Sequence, residues 1–254
     1  MLIDSHAHLD DRRFDKDRES IINSFEDNDI SLVINPGADL SSSIKAVNLA
    51  EKYEKVYAAV GVHPHSAKEM DESTMKILKS FSNRDKVVAI GEIGLDYYYD
   101  NSPRDIQRKW FIEQMRLAKE VNLPIIVHSR DAQQETFDLI KAEQDGSLEG
   151  VLHCYSGSVE MAKEYIKLGF YISIAGPVTF KNARVLKEVV REIPLDKMLV
   201  ETDSPYLTPE PYRGKRNDPI YVRFVAATIA EEKGVSFEEV ARITGENTKK
   251  LFRI

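Results

Sequence analysis

The sequence has one cysteine, no long apolar run and no surplus of positive charge. A lone thiol, Cys154, cannot close an intrachain disulfide, and such scarcity suits a reducing, cytoplasmic compartment. No stretch approaches the ~20 apolar residues of a membrane helix. The N-terminus runs straight into a strand carrying Asp4, without the apolar core of a signal peptide. No membrane association is therefore expected, and no obligate protein partner is evident. Net charge is −7, so the surface as a whole repels nucleic acid. A polyanionic partner would have to meet a local basic patch or a bound cation. No Gly-x-Gly-x-x-Gly loop follows the first strand, which weakens the case for an open, doubly wound nucleotide-binding sheet. Internal repeats, low-complexity segments and linkers are also missing.

What is present is a regular alternation. Apolar runs occur at Leu2–Ser5, Ile30–Asn35, Val56–Val62, Val87–Gly91, Pro124–Val127, Gly150–Leu152, Phe170–Ile174 and Lys197–Val200. Most are continuous rather than alternating, as expected of strands covered on both faces. Amphipathic stripes lie between them: Arg18–Asn28, Ser41–Tyr53, Ser102–Val121, Asp131–Lys141, Ser158–Leu168 and Asn182–Glu192. A Pro-rich loop, Ser204–Pro219, follows the last strand. A helix over Tyr221–Lys233 comes next, and then one opened by the capping box Ser236-x-x-Glu239. Eight strands alternating with helices in 254 residues predict an α/β fold, a single-domain (β/α)8 TIM barrel over residues 1–254.

The six histidines all fall at predicted strand ends. His6 and His8 follow strand 1, His63 and His65 strand 3, His128 closes strand 5 and His153 closes strand 6. Glu92 closes strand 4 and Asp203 follows strand 8. In a barrel these ends open onto one face, which gathers His6, His8, Glu92, His128, His153 and Asp203 at one mouth. Residues two apart on a strand point the same way, so His6 and His8 can aim at one point. Imidazoles and carboxylates are ligands of Zn²⁺, Mn²⁺ and similar ions. Six are more than one catalytic ion uses, so two divalent cations are expected. One would sit on His6, His8, Glu92 and Asp203, and a second on Glu92, His128 and His153, with Glu92 as the bridge. Such a pair acidifies water and polarises a phosphoryl or carbonyl oxygen, which predicts hydrolysis. Asp203 is expected to double as the general base. Strand period 2 also sends Asp4 and Glu201 inward one layer below, to hold the distal N–H of a ligating imidazole. A buried pair with Lys or Arg, or a polar core layer, is the alternative.

These residues sit in recognisable motifs. Asp4-Ser5-His6-Ala7-His8-Leu9-Asp10, Gly61-Val62-His63-Pro64-His65 and Gly91-Glu92-Ile93-Gly94-Leu95-Asp96-Tyr97 are three. His128-Ser129-Arg130-Asp131-Ala132, His153-Cys154-Tyr155-Ser156-Gly157 and Glu201-Thr202-Asp203-Ser204-Pro205-Tyr206-Leu207 are three more. Together with Arg213-Gly214-Lys215-Arg216-Asn217, the set resembles the TatD family of metal-dependent deoxyribonucleases, within the amidohydrolase-like hydrolases. Tyr155 and Ser204 stand where that family usually has Phe and Ala. The resemblance implies a TIM-type barrel and a two-ion site on the same six residues. It also implies phosphodiester hydrolysis of DNA, often from the 3′ end, with Mg²⁺, Mn²⁺ or Zn²⁺.

The loops suit a phosphate substrate. Arg213, Lys215 and Arg216 form the densest basic cluster near the mouth, and Arg130 follows a ligand directly; guanidinium groups match phosphate oxygens. His63 is placed against substrate or leaving group, and His65 in a loop. Tyr155 and the rim tyrosines Tyr97, Tyr98, Tyr99, Tyr206 and Tyr212 are candidates for stacking on unpaired bases of a single-stranded end. Cys154 reads as a small buried residue, since no acid–base pair is left to activate it. Two other functions compete. An amidohydrolase-type esterase, lactonase or D-aminoacyl-tRNA deacylase would use the same ions, although Glu92 stands where many such enzymes carry a carboxylated lysine. A metal-binding scaffold without turnover is the third.

Overall fold

Eight parallel strands pair in strict sequence order in the computed structural model, which describes all residues 1–254. They are β1 (Leu2–Asp4), β2 (Ile30–Pro36), β3 (Val56–Val60), β4 (Val87–Asp96), β5 (Ile125–Arg130), β6 (Gly150–Leu152), β7 (Tyr171–Ile174) and β8 (Met198–Val200). The sheet closes between its first and last strands. Ser5 N–H donates to Val200 O (3.0 Å), His8 N–H to Ser204 O (2.8 Å) and Asp203 N–H to His6 O (2.9 Å). Ala7 and Ser204 form a parallel bridge at the same seam. This is the expected (β/α)8 barrel.

Nine helices surround it: α1 (Arg18–Asn23), α2 (Leu40–Lys52), α3 (Glu72–Phe81), α4 (Arg104–Val121), α5 (Gln133–Glu143), α6 (Val159–Lys167), α7 (Arg184–Glu192), α8 (Val222–Lys233) and α9 (Phe237–Phe252). Two apolar layers hold the assembly. The larger lies between strands and helices and contains Leu2, Ile90, Val127, Ile172 and Val200. The smaller fills the barrel with Ile3, Leu32, Ile34, Ile126, Val151, Tyr171 and Leu199, together with Leu251 and Phe252 from the end of α9. The opposite parities of 126 and 127, or 199 and 200, are the strand alternation expected of a barrel wall. No helix is long and apolar enough to cross a membrane.

Three departures from the sequence pattern have local causes. The stripe expected over Arg18–Asn28 stops being α-helical after Asn23. Ser24 Oγ donates to Ile21 O and Asn28 Nδ2 to Ser24 O, so polar side chains take the carbonyls that another turn would need. Helix α3 was not expected, because Met75, Leu78 and Phe81 make a short stripe interrupted by Ser and Lys. Its signal is Asp71, which accepts the Thr74 N–H as N-cap. Strand β4 runs five residues past its expected end at Gly91. Ile90 pairs with Ile125 but Ile93 with Val127, so β4 carries one extra residue around Glu92. Beyond it Gly94 has φ +145°, and a Cβ there would lie 1.9 Å from His128 O. Only glycine lets β4 run this close to β5.

Candidate metal centre

The barrel mouth brings together every imidazole of the chain. His6 and His8, just past β1, turn their Nε2 atoms to within 3.2 Å of each other. Glu92 Oε2 lies 3.4 Å from His6 Nε2 and 3.7 Å from His8 Nε2. Asp203 Oδ1 lies 3.7 Å and 3.5 Å from the same two atoms. The five distances, 3.2–3.7 Å, are those between donors sharing one tetrahedral ion. A tetrahedron with an edge of about 3.5 Å has its centre about 2.1 Å from each corner, the length of a bond from zinc to imidazole nitrogen or carboxylate oxygen. Glu92 turns its other oxygen to a second set: Oε1 is 3.0 Å from both His128 Nδ1 and His153 Nε2.

Lone pairs converging at this spacing demand positive charge among them. His6 is fully buried, and its Nδ1 has no hydrogen-bond partner. Burial, then the neighbouring His153, lowers its pKa, so a neutral ring faces two carboxylates. At His8 burial opposes the charge, but Asp203 and Glu92 overcome it and hold the imidazole up to about 9. Glu92 behaves reciprocally. Burial would raise its pKa, yet the surrounding imidazoles of His153, His63 and His128 hold it well below the usual carboxylate range. These donors fit a divalent cation in number, type and spacing.

Two further carboxylates hold the rings of His153 and His128. Glu201, inward from β8 and two residues before Asp203, lies with Oε1 3.1 Å from His153 Nδ1 and accepts the Cys154 N–H at 2.6 Å. Asp96, at the end of β4, does the same for His128. Its Oδ2 is 3.1 Å from His128 Nε2 and 3.0 Å from His65 Nε2, while Oδ1 accepts the N–H groups of Tyr98 and Tyr99. Burial opposes its ionisation, but the His128 and His65 donors hold its pKa far below the ordinary value. An ionised carboxylate only accepts, so both histidines carry their proton on Nε2, leaving the His128 Nδ1 lone pair facing Glu92. Sequence reasoning missed Asp96. Its signal was the same period 2 that selects Glu201, running Glu92, Gly94, Asp96 along a strand longer than expected.

Asp4 does not reach an imidazole. On β1 it is Ile3 that joins the barrel filling. Asp4 instead accepts from Thr202 Oγ1 (2.6 Å), Thr202 N–H (2.9 Å) and His6 N–H (3.2 Å), so it locks the β1–β8 seam that carries His6 and Asp203. His63 enters the cluster with Nε2 3.4 Å from Glu92 Oε1. Its Nδ1 accepts the His65 N–H, which leaves the proton of the neutral ring on Nε2. His63 is thus built as a donor into the site rather than as a lone-pair ligand.

The basic loop is less free than its charge suggests. Arg216 donates to both oxygens of Asp17 and to Arg13 O, and lies over Phe14, so it straps the loop to the segment leading into α1 instead of facing the mouth. Asn217 is buried and holds Thr202 O and Tyr206 O. Arg213 stacks on Phe180. Tyr155 is buried, with its hydroxyl donated to Ser158 O, so it is packing under the rim. Arg130 is exposed and in no ion pair, over the rings of Tyr98 and Tyr99 at 4.0 and 4.9 Å.

A closed barrel with imidazoles and acids converging at the C-terminal mouth is the frame of a metal-dependent hydrolase. The family model described as TatD related DNase matches residues 3–253. The chain is 50% identical to the metal-dependent hydrolase YabD of Bacillus subtilis over the whole of both proteins. It is 39% identical to the metal-dependent hydrolase YcfH of Escherichia coli, over all of this chain and 96% of that one. The crystal structure of YjjV, a TatD homolog from Escherichia coli K12, superposes with a TM-score of 0.94 at 30% identity, covering 100% and 98% of the two chains. The chain belongs to the TatD family of metal-dependent hydrolases.

Proposed function

We propose that the chain is a deoxyribonuclease that removes nucleotides from single-stranded ends, a 3′–5′ exonuclease, using two divalent cations. The observation that carries this reading is the division of Glu92, one oxygen toward His6 and His8 and the other toward His128 and His153. One carboxylate shared by two donor sets supports two-ion hydrolysis, and the rim guanidiniums of Arg130 and Arg213 favour a phosphodiester over a carboxylic ester. His6, His8, Glu92 and Asp203 would hold one cation, and Glu92, His128 and His153 the other. Mg²⁺, Mn²⁺ and Zn²⁺ all suit oxygen and imidazole donors. When bound, such ions acidify water and neutralise charge on the phosphoryl oxygens.

The chain's own groups do the rest. Burial raises the Asp203 carboxyl, but the hydrogen bond from His8 and the nearby His6 and His153 bring it below the ordinary value. It is therefore ionised at neutral pH and able to take the proton of the attacking water. Glu201 and Asp96 keep the His153 and His128 rings in the tautomers that present Nε2 and Nδ1 to Glu92. The His63 Nε2–H is positioned to donate to a phosphate oxygen or to the leaving group. Arg130 and Arg213 stand at the rim as guanidinium partners for flanking phosphates.

The test is turnover on 3′- and 5′-labelled single-stranded DNA beside an ester and lactone panel, each with Mg²⁺, Mn²⁺ or chelator. Metal-dependent release of mononucleotides from the 3′ end is expected. Turnover of carboxylic esters, lactones or D-aminoacyl-tRNA with DNA left intact refutes the nuclease reading in favour of the amidohydrolase one.

A further inference from the structure

Six tyrosines ring the mouth in the sequence, and their surroundings divide them. Tyr97 donates its hydroxyl to Glu135, Tyr155 is buried, and Tyr212 stacks on Tyr221 at 4.7 Å. The other three are open: Tyr98 at 57%, Tyr99 at 54% and Tyr206 at 46% of full exposure. The chain has only seven large hydrophobic side chains this exposed, and four of them, these tyrosines and Leu207, lie on two mouth loops. Exposed aromatics gathered in this way mark a contact surface.

The two loops face each other. Tyr98 and Tyr99 follow β4, Tyr206 and Leu207 follow β8, and strands four apart in an eight-stranded barrel lie across its axis. Between them the imidazoles form a continuous arc. The Tyr99 ring is 5.2 Å from His65, His65 is 6.4 Å from His128, and His128 is 5.8 Å from His153. His153 stacks on His6 at 4.0 Å, His6 is 5.0 Å from His8, and His8 is 6.0 Å from Tyr206. The donor cage thus occupies the middle of the arc and an open aromatic group each end.

Each end sets a guanidinium over an aromatic ring, free of ion pairs at Arg130 and held by both oxygens of Asp11 at Arg13. Arg130 covers one side of Tyr98 and Tyr99, and Arg13 lies 4.1 Å over Tyr206. Each backbone is anchored to the cage. Asp96 accepts the Tyr98 and Tyr99 N–H groups with one oxygen and orients His128 with the other. Tyr206 N–H donates to the carbonyl of Asp203. A half-exposed ring backed by a guanidinium is what a base stacks on, and the unpaired guanidinium of Arg130 suits the adjoining phosphate.

We infer that Tyr98–Tyr99 with Arg130, and Tyr206 with Arg13, are two nucleoside platforms that receive the residues on either side of the scissile phosphate of a single strand. This rests on the phosphodiesterase reading above. It adds that the substrate is gripped on both sides, so a dinucleotide is the smallest unit to use the whole site. A paired duplex end cannot lay its bases on both platforms without unpairing.

The test compares Tyr98→Ala/Tyr99→Ala and Tyr206→Ala with the Phe versions, which keep the rings. Four probes serve: single-stranded dT10, the thymidine 5′- and 3′-p-nitrophenyl phosphates with one nucleoside each, and methyl p-nitrophenyl phosphate with none. Each Ala variant is expected to raise KM for dT10 about 10-fold, in line with the loss of one base stack, with kcat little changed. It should raise KM for one thymidine ester and not the other, the two variants affecting opposite esters. Methyl p-nitrophenyl phosphate should be turned over as before, and the Phe variants should behave as the parent. Binding of fluorescein-labelled dT10 in chelator should weaken about 10-fold in the Ala variants only. Unchanged dT10 binding and KM overturn the proposal, as does equal loss on all four probes. If the parent cleaves methyl p-nitrophenyl phosphate but not dT10, the platforms fail and the phosphodiester chemistry stands. If it cleaves no phosphodiester at all, the underlying reading fails first.

Discussion

Replacing Asp96 by Asn tests how this site controls its metal donors, because the change removes one acceptor and alters little else in shape. The Asp96 carboxylate serves four donors: His128 Nε2–H and His65 Nε2–H on Oδ2, and the Tyr98 and Tyr99 N–H groups on Oδ1. An amide offers one acceptor oxygen and one NH₂. With the oxygen toward the backbone, the NH₂ meets two imidazole N–H groups. His128 must then shift its proton to Nδ1, the atom 3.0 Å from Glu92. With the amide reversed, the NH₂ meets two backbone N–H groups, at about 1–3 kcal/mol for each buried donor left unpaired. Losing the partner that orients a ligating histidine costs about 10–100-fold in metal affinity. That equals about 1.4–2.8 kcal/mol. Competition against a fluorescent chelator reads this directly, with circular dichroism confirming the fold. An Asp96→Asn protein that binds two equivalents of Zn²⁺ as tightly as the parent would falsify the assigned role of Asp96.

Other consequences follow from the same geometry. Glu201→Gln should weaken metal binding less than Asp96→Asn, because Glu201 serves both its donors with one oxygen that Gln retains; the same competition assay decides, and a larger loss contradicts the ordering. Gly94→Ala should destabilise the fold by more than ~3 kcal/mol, since the added Cβ meets His128 O in a backbone region that L residues avoid. Gly146→Ala has a similarly positive φ but open space around it, and should cost about 1 kcal/mol; equal urea midpoints for the two variants would count against the close approach. Cys154 is half-buried rather than buried as expected, and should react slowly with a thiol reagent at pH 8, because desolvation and then the Asp203 and Glu201 carboxylates push its thiol well above the ordinary value. Labelling at the rate of free cysteine would contradict that.

How much of this could be read in advance depends on whether a feature is local. Buried parallel strands are continuous apolar runs, so the barrel and its mouth follow from the sequence pattern, and with them the convergence of His6, His8, Glu92, His128, His153 and Asp203. Glu201 followed from period 2 because β8 keeps a regular alternation. Asp4 misled because Ile3, one residue away, is the one that enters the barrel. Asp96 stayed hidden because glycines at 91 and 94 look like the end of a strand, when they are what lets β4 continue against β5. Arg216 looked free because its partner, Asp17, lies almost two hundred residues earlier. Such pairings depend on the closed fold and leave no mark on neighbouring residues.

The central claim is that one carboxylate, Glu92, is shared between two sets of donors. Counting divalent ions tests it most directly, by equilibrium dialysis of the metal-free chain against Zn²⁺ or Mn²⁺ with elemental analysis. The account predicts two ions per chain. A saturating value of one or none would contradict it.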